Sequence, residues 1–170
     1  MAYETISRLD LEIKLARHFL WLHDQYGGEQ ATLYNLFISE FNFEDVDLSS
    51  SVIKNCEFEN CNFFHTDLRN AECVGTKFHH CDMLGINGEE GSFYGATFED
   101  CILDGSSFIH SNLATAKFKK CDVKDVDIQA SCVVGTEWIA TNTKTVNMDD
   151  TVDAYEEWDG DLDSIDIMQM

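Results

Sequence analysis

The residues of this chain that could do chemistry are mainly carboxylates. The 170 residues include 32 aspartates and glutamates against 11 lysines and arginines, which is a formal net charge of −21 at pH 7. Paired carboxylates act as general acid and base only where burial or a close charge shifts their pKa values. The phosphates of a nucleic acid would repel so acidic a chain. We therefore expect the carboxylates to bind a protein with a basic surface, with no direct binding of nucleic acid.

The cysteines and histidines could hold a metal ion, but their spacing argues against a metal site. Seven cysteines are an odd number for a disulfide framework. Zinc needs ligands that converge on a tetrahedron, whereas four of the cysteines recur every twenty residues, at Cys61, Cys81, Cys101 and Cys121. His65, His79 and His80 are predicted to lie outward and apart. The pattern predicts buried core thiols and no metal, with Cys132 as the one cysteine that faces outward.

A five-residue repeat from residue 41 to residue 150 must position these side chains. In each unit, a large and mostly apolar central residue stands two positions after a small or β-branched one. A period of five fits neither an α-helix nor a β-strand, so the unit is a structural repeat. The 110 residues hold 22 units without an insertion. The first central residues are Phe43, Leu48, Ile53, Phe58, Phe63, Leu68, Cys73 and Phe78.

The units share a pattern of a small residue, then Asp or Asn, then Leu or Phe. Good matches are Thr66-Asp67-Leu68, Ser111-Asn112-Leu113 and Cys61-Asn62-Phe63. The sequence resembles the pentapeptide-repeat family. This resemblance implies an all-β solenoid, a right-handed quadrilateral β-helix with four pentapeptides per coil. Residues 41–150 would then form about 5–6 coils spaced about 4.8 Å apart, in a rod roughly 26 Å long. A solid rod has no pocket, so we predict no enzyme and no cofactor.

Four units per coil place residues twenty apart on top of one another, and each coil has four faces. One of them, the ladder face, should stack an inward aromatic column and mix acids with bases outside. Gly88 interrupts the inward column of another face, where we expect Ile86 to fill part of the missing volume. The aromatic column consists of Phe58, Phe78, Phe98, Phe118 and Trp138.

Two adjacent faces should be strongly acidic on their outer sides. Acidic face 1 surrounds the central residues Phe43 and Phe63, and acidic face 2 surrounds Leu48 and Leu68. Together they carry thirteen carboxylates and three basic side chains. We predict that a partner docks on ten of the carboxylates: Asp45, Asp47, Asp67, Asp82, Glu89, Glu90, Asp104, Asp122, Asp125 and Asp127.

The fourth face, the apolar face, is nearly uncharged. Val74, Tyr94 and Val134 should form an exposed column on it, beside Gly75 and Gly95, which suit the positive φ of a turn. A flat apolar surface of this kind is covered either by a terminal segment of the chain or by a partner. This column is the alternative interface to the acidic faces.

The two ends of the chain depart from the repeat. Residues 4–26 predict a helix, and residues 1–40, the helix with a joining segment, should cap the open end of the solenoid. The helix has two apolar stripes, and the surplus stripe would permit a homodimer. Residues 151–170 predict either an acidic cap on the last coil or a disordered acidic tail. Their apolar residues at helical spacing are Tyr155, Trp158, Leu162 and Ile165.

The cellular location follows from what the sequence lacks. No apolar run approaches the roughly 18 residues of a membrane span. The N-terminus lacks the basic region and apolar core of a signal peptide. We therefore expect a cytoplasmic protein without a membrane partner.

The acidic faces indicate a function. They resemble those of the gyrase-protecting members of the family linked to quinolone resistance, which look like double-stranded DNA in size, shape and charge. The resemblance implies a DNA mimic that inhibits or protects a DNA-binding enzyme by occupying its DNA site. That enzyme would be a topoisomerase such as gyrase, or a restriction, CRISPR or other antiphage complex, in which case the protein is an antidefence inhibitor. The alternative is a scaffold or adaptor that binds a protein through the apolar face or the acidic tail.

Overall fold

Short parallel strands, stacked coil upon coil, form most of the chain. The computed structural model describes residues 3–153; the predicted acidic segment lies outside the described residues from residue 154 onward. The elements are β1 (Glu4–Thr5), α1 (Arg8–Leu22), β2 (Thr32–Tyr34), β3 (Leu36–Ser39), β4 (Val52–Lys54), β5 (Glu57–Glu59), β6 (Lys77–His79), β7 (Thr97–Glu99), β8 (Lys117–Lys119) and β9 (Glu137–Ile139). One seven-stranded sheet has the order β1-β3-β5-β6-β7-β8-β9, and β2 pairs with β4 in a second sheet.

Paired residues in the coils are twenty positions apart. In the large sheet Phe58 pairs with Phe78, and isolated bridges on the other faces keep the same spacing, as between Asp47 and Asp67. The strands β3 and β5 to β9 lie on the ladder face, one strand for each coil. The predicted all-β solenoid, with four five-residue units per coil, is therefore confirmed.

Every fifth residue occupies a corner of the coil with a left-handed backbone. From Asn35 to Ala140 these residues have φ between 52° and 68°. Most L-residues disfavour this region, whereas glycine, asparagine and aspartate tolerate it. Gly75 and Gly95 both have φ of 63°, which confirms the positive φ expected beside the apolar column.

Stacked aromatic rings fill the interior behind the ladder face. The ring of Phe98 lies between those of Phe78 and Phe118, with centroids 5.1 Å and 4.8 Å away and planes only 6° and 7° from parallel. Phe58 and Trp138 continue the stack on either side. The predicted aromatic ladder is confirmed, and it leaves no open channel through this part of the rod.

Gly88 lies where two aromatic rings leave no room for a side chain. A Cβ atom at this position would approach ring atoms of Phe93 and Phe108 to 2.9 Å. These rings occupy the space beside Gly88, and Ile86, which we expected to fill part of the missing volume, is itself buried in the core. The hydrogen bonds between coils continue here, since the amide of Gly88 donates to the carbonyl of Ser107 at 2.7 Å.

All seven cysteines are free and buried. In the inward column, the thiol of Cys101 donates to the carbonyl oxygen of Phe78, with 3.3 Å between sulfur and oxygen. The prediction that Cys132 faces water is wrong, because its side chain is 0% exposed. Its bridge partner Asn112 is also buried, so this outward column of the apolar face is closed to water at these two coils. Burial raises the pKa of the Cys132 thiol.

Helix α1 is shorter at both ends than the predicted 4–26. Ser7 begins the helix, because its hydroxyl accepts the amide of Asp10 at 3.1 Å. The residues before it pair with β3 as β1 instead. After Leu22 the chain folds back so closely that a Cβ at Gly28 would collide with the backbone of Trp21. The cap at Ser7 therefore starts the helix later than its apolar pattern predicted, and the reversal of the chain after Leu22 ends it earlier.

One side of α1 covers the first coil, as a cap must. Leu11 and His18 are 1% and 0% exposed, and the Nδ1 atom of His18 accepts the amide of Ala31 at 3.1 Å. Burial lowers the pKa of His18. On the opposite side of the helix, Leu9 and Ile13 are 65% and 42% exposed.

The coils extend beyond residues 41–150 in both directions. Strands β2 and β3 pair with β4 and β5 at the twenty-residue spacing, so residues 32–39 already form coil. At the other end Val152 still pairs with Cys132. The five-residue spacing of Leu33 and Ile38 was the sequence signal for the earlier start.

Candidate protein-binding surface

The ten predicted acidic residues lie on the outer sides of acidic faces 1 and 2. Six of them are exposed: Asp45, Asp47, Asp82, Glu90, Asp122 and Asp125. The other four are half-buried: Asp67, Glu89, Asp104 and Asp127. The two faces follow one another along every coil, so their carboxylates form one surface that continues from coil to coil.

Several of these aspartates also hold the backbone turn that follows them. One carboxylate oxygen of Asp82 accepts the amide of Leu84 at 3.1 Å, and that of Asp127 accepts the amide of Gln129 at 2.9 Å. Asparagine makes the same bond elsewhere in the repeat, at Asn42, Asn62, Asn87, Asn112, Asn142 and Asn147. The turn therefore needs an oxygen acceptor but not a negative charge.

Charges on the ladder face are paired between neighbouring coils. Glu57 lies 3.6 Å from Lys77, Asp100 lies 3.9 Å from Lys120, and the carboxylates and lysines of the next coils alternate in the same way. These exposed pairs contribute little to stability, about 0–1 kcal/mol each. They offset most of the charge on this face, where Glu59 has no ion-pair partner among the described residues.

Most carboxylates on the acidic faces have no such partner. Within residues 3–153, no basic side chain forms an ion pair with the carboxylates of Asp47, Asp82, Asp104, Asp122 or Asp127. The three basic residues on these faces are Arg69, Lys124 and Lys144.

Arg69 is neutralised by its own neighbour on acidic face 2. Its guanidinium donates two hydrogen bonds to Asp67, which raise the pKa of Arg69. Lys124 likewise lies 3.9 Å from its own neighbour Asp125, so neither base offsets the unpaired carboxylates named above.

The density of this charge approaches that of a nucleic acid. Besides the ten predicted residues, Glu44, Asp149 and Asp150 belong to the acidic faces, and thirteen carboxylates against three bases leave ten net negative charges. Over a rod of roughly 26 Å this is one charge per about 2.6 Å. Duplex DNA carries one per about 1.7 Å along its axis. A basic groove that accepts DNA would therefore meet a comparable field.

Acidic face 1 also carries apolar side chains that sequence reasoning missed. Phe64 and Leu84 lie half-buried on its outer side, one above the other in adjacent coils. Ile102, in the coil after Leu84, is 40% exposed. All three stand at outward positions of the repeat, directly before or after a central residue. That register was the available signal.

The alternative interface on the apolar face is less open than predicted. Val74, Tyr94 and Val134 are half-buried, and Ala114, in the same column, is 0% exposed. The side-chain nitrogen of Asn112 and the hydroxyl of Ser92, both on this face, are buried without a hydrogen-bond partner among the described residues.

Within residues 3–153, no group of three or more His, Cys, Asp or Glu side chains could hold a metal ion. An open cleft of about 270 Å³ lies between α1 and the first coil, lined by Arg8, Leu11 and Phe41 among others. Helix α1 is neither long nor apolar enough to span a membrane, and the described part of the chain has no other helix that is.

The sequence matches the family described as Pentapeptide repeats (8 copies) over residues 42–72, 54–85 and 92–129. No curated protein matches the chain. These matched residues lie within the coils. They include eight of the ten predicted acidic residues, all except Glu89 and Glu90.

Solved structures with the same repeat resemble the chain distantly. A trypsin-treated variant of QnrB1, a plasmid-mediated fluoroquinolone resistance protein, is 18% identical, with 75% of this chain and 69% of that chain covered and a TM-score of 0.46. Rfr23 from the cyanobacterium Cyanothece 51142 is 16% identical, covering 84% and 98%, with a TM-score of 0.37. HetL from Nostoc sp. strain PCC 7120, involved in heterocyst differentiation regulation, is 14% identical, covering 82% and 91%, with a TM-score of 0.26. At these identities and TM-scores, the functions of these proteins do not extend to this chain.

Proposed function

Because this chain belongs to the pentapeptide-repeat family, we propose that it is a non-enzymatic DNA mimic that occupies the DNA-binding site of a partner enzyme. One observation carries the proposal. Four carboxylates of the ladder face, those of Glu57, Glu99, Asp100 and Glu137, are paired with lysines. Within residues 3–153, those of Asp82, Asp122 and Asp127 on the acidic faces have no ion-pair partner. Stability does not require these negative charges, since asparagine holds the same turns.

The partner is defined by its chemistry as a protein with a lysine- and arginine-rich groove for duplex DNA. Complementary charge accelerates the encounter and suppresses partners of like charge. While the rod lies in the groove, DNA is excluded, so the enzyme is inhibited, or is protected from DNA-dependent damage. The class includes topoisomerases such as gyrase and the restriction, CRISPR and other antiphage complexes, for which the rod would be an antidefence inhibitor.

We propose that the protein acts in the cytoplasm. All seven cysteines are free thiols, and a reducing compartment keeps thiols in that state. Enzymes that act on bacterial DNA work in the same compartment.

A homodimer through α1 belongs to the same proposal. Apolar residues follow heptad spacing along one side of the helix, at the exposed Leu9, Ile13 and Ala16 and the half-buried Leu20. A like helix presents the matching surface in a two-fold interface. One rod spans only about seven to eight base-pair rises at ~3.4 Å each. Two rods joined at their N-terminal ends would offer the partner roughly twice that length.

The test removes charge without removing the turn. A double variant, Asp82→Asn with Asp127→Asn, keeps both oxygen acceptors. Purified gyrase, a restriction endonuclease and a CRISPR nuclease serve as probes, with binding measured by interferometry at several salt concentrations. For a probe that binds the parent chain, we expect about tenfold weaker binding by the variant, a shallower salt dependence, and displacement of the parent by duplex DNA.

The matched control removes the same net charge from the ladder face. Glu57→Gln with Asp100→Asn takes away two carboxylates that are already paired with lysines. Equal weakening by both double variants would mean that only total charge matters, and the proposed docking surface would be wrong. Binding that resists both DNA and salt but is lost in Tyr94→Glu would move the contact to the apolar face and support the scaffold function.

A further inference from the structure

The acidic surface is not uniformly polar. Phe64, Leu84 and Ile102 lie on three successive coils of acidic face 1. Phe64 and Leu84 are linked through the backbone, since the carbonyl of Leu84 accepts the amide of His65 at 3.0 Å. The carbonyl of Ile102 accepts the amide of Met83 at 2.8 Å. The three apolar side chains, which we call the central patch, therefore occupy neighbouring positions on one face.

Carboxylates surround the central patch. Asp82 forms the backbone bridge with Ile102, and Asp104 follows Ile102 by two residues on the same face. In the coil before Phe64, Asp45 lies 3.9 Å from the imidazole of His65. Neither Asp82 nor Asp104 has an ion-pair partner in the described part of the chain.

Phe64 is held in place before any partner arrives. Its ring stacks on the imidazole of His65, with centroids 3.9 Å apart and planes 26° from parallel. A pre-positioned aromatic side chain loses little conformational freedom on binding. An apolar centre inside a charged rim is also how energetically dominant residues are arranged in protein interfaces.

A mimic that reproduced only phosphate charges would not need these side chains. The outer surface of a DNA backbone is anionic throughout, and three neighbouring apolar residues, the exposed Ile102 and the half-buried Phe64 and Leu84, weaken that imitation. Their burial is favourable only against an apolar surface. The charge around them selects a partner whose apolar surface is itself bordered by lysine and arginine.

We propose that the central patch is the anchor of the partner interface and docks in an apolar depression bordered by basic side chains on a DNA-binding protein. This inference rests on the proposed function and names the partner surface in more detail. The carboxylates then determine how fast the partner arrives, and the central patch determines how slowly it leaves.

The experiment separates these two contributions by kinetics. Parent and variants are compared by surface plasmon resonance against the purified gyrase, restriction endonuclease or CRISPR nuclease that binds the parent chain. Phe64→Ala with Ile102→Ala should raise the dissociation rate about tenfold or more and leave the salt dependence of association unchanged. Asp82→Asn with Asp127→Asn should instead slow association and flatten its salt dependence.

Ile139→Ala is the matched control, since Ile139 is 42% exposed on the ladder face. It should leave both rate constants unchanged. If the double alanine variant loses its cooperative unfolding transition, Ile102→Ala alone provides the test, because this side chain is 40% exposed and little of the fold depends on it.

The outcomes distinguish the two proposals. An unchanged dissociation rate in the alanine variant, together with weak binding by the asparagine variant, overturns the central patch and leaves the DNA mimic standing. Unchanged binding in both variants overturns both, as does a parent chain that binds none of the three enzymes.

Discussion

Replacing Phe98 with alanine should destabilise the rod more than any single change near its C-terminal end. Phe98 is 0% exposed, and its ring is stacked on both sides, against Phe78 at 5.1 Å and Phe118 at 4.8 Å. The edge of a third ring, Phe108, lies with its centroid 6.1 Å away. The ring of Phe93 lies at a similar distance, 6.2 Å, so removal of the side chain opens a cavity among four rings.

The magnitude follows from burial and from how little the site can relax. Truncation of a buried phenylalanine to alanine costs about 3–5 kcal/mol, and the cost rises with the cavity that remains. Here the backbone on both sides is held by hydrogen bonds between coils, as from the amide of Asp100 to the carbonyl of Lys119 at 3.0 Å. We therefore expect a loss of about 4 kcal/mol, or a fall in Tm of about 8–16 °C for a chain of this length.

The assay is urea unfolding followed by far-ultraviolet circular dichroism, with thermal unfolding as a second readout. Trp138→Ala is the comparison within the same column. Trp138 is half-buried and stacks on one ring, Phe118, at 4.3 Å. Its loss should cost less than about half as much, because a side chain at the last coil can be replaced in part by water.

The reasoning would fail in either of two ways. A loss below about 1 kcal/mol for Phe98→Ala is what a surface site shows, and it would place Phe98 outside the core. Equal losses for Phe98→Ala and Trp138→Ala would contradict the claim that stacking on both sides determines the cost.

Two further predictions concern α1. The chain should be a dimer by light scattering at micromolar concentration, and Ile13→Ser should make it a monomer. The control Tyr26→Ser, which changes an exposed residue beyond the helix, should leave the dimer intact. A parent chain that is monomeric at this concentration contradicts the dimer. Burial lowers the pKa of His18 from 6.5. Below pH 6.5 the unfolded chain therefore binds a proton that the folded chain excludes. As the pH is lowered, the free energy of unfolding should decrease by at most about 1.4 kcal/mol per pH unit. Protonation of Nδ1 would also remove the hydrogen bond that it accepts from the Ala31 amide. In urea unfolding at pH 7 and pH 5, His18→Gln should reduce the change of unfolding free energy with pH, and the control His23→Gln should not. An equal change in the parent and in His18→Gln would show that His18 is not the group responsible.

The repeat was predictable because it is local. A residue's position in the unit of five determines whether its side chain points inward. The residues twenty positions before and after it are the ones that it stacks on. The ladder from Phe58 to Trp138 and the outward aspartates follow from this arithmetic alone. So does the positive φ at Gly75, which recurs at every fifth residue from Asn35 to Ala140.

The errors fall where the chain departs from the repeat or meets a distant segment. Helix α1 ends early because Ser7 caps it and because the chain returns against Trp21. Cys132 holds an outward position but is buried together with its bridge partner Asn112. The close approach of two rings to Gly88 was missed, because a periodicity of centres cannot show how far a phenylalanine reaches.

The candidate surface was also predictable from the sequence only in part. The sequence by itself determined which faces are acidic, because side-chain direction in a repeat is set by local backbone geometry. Only the tertiary structure decided which carboxylates remain unpaired, because an ion pair depends on how two side chains from different coils extend. It also showed that Asp82 supports its turn in a way that asparagine can repeat, and that Phe64 stands among the charges. Ion pairs such as that of Glu57 with Lys77 join side chains twenty residues apart, and the five-residue period does not determine their conformations.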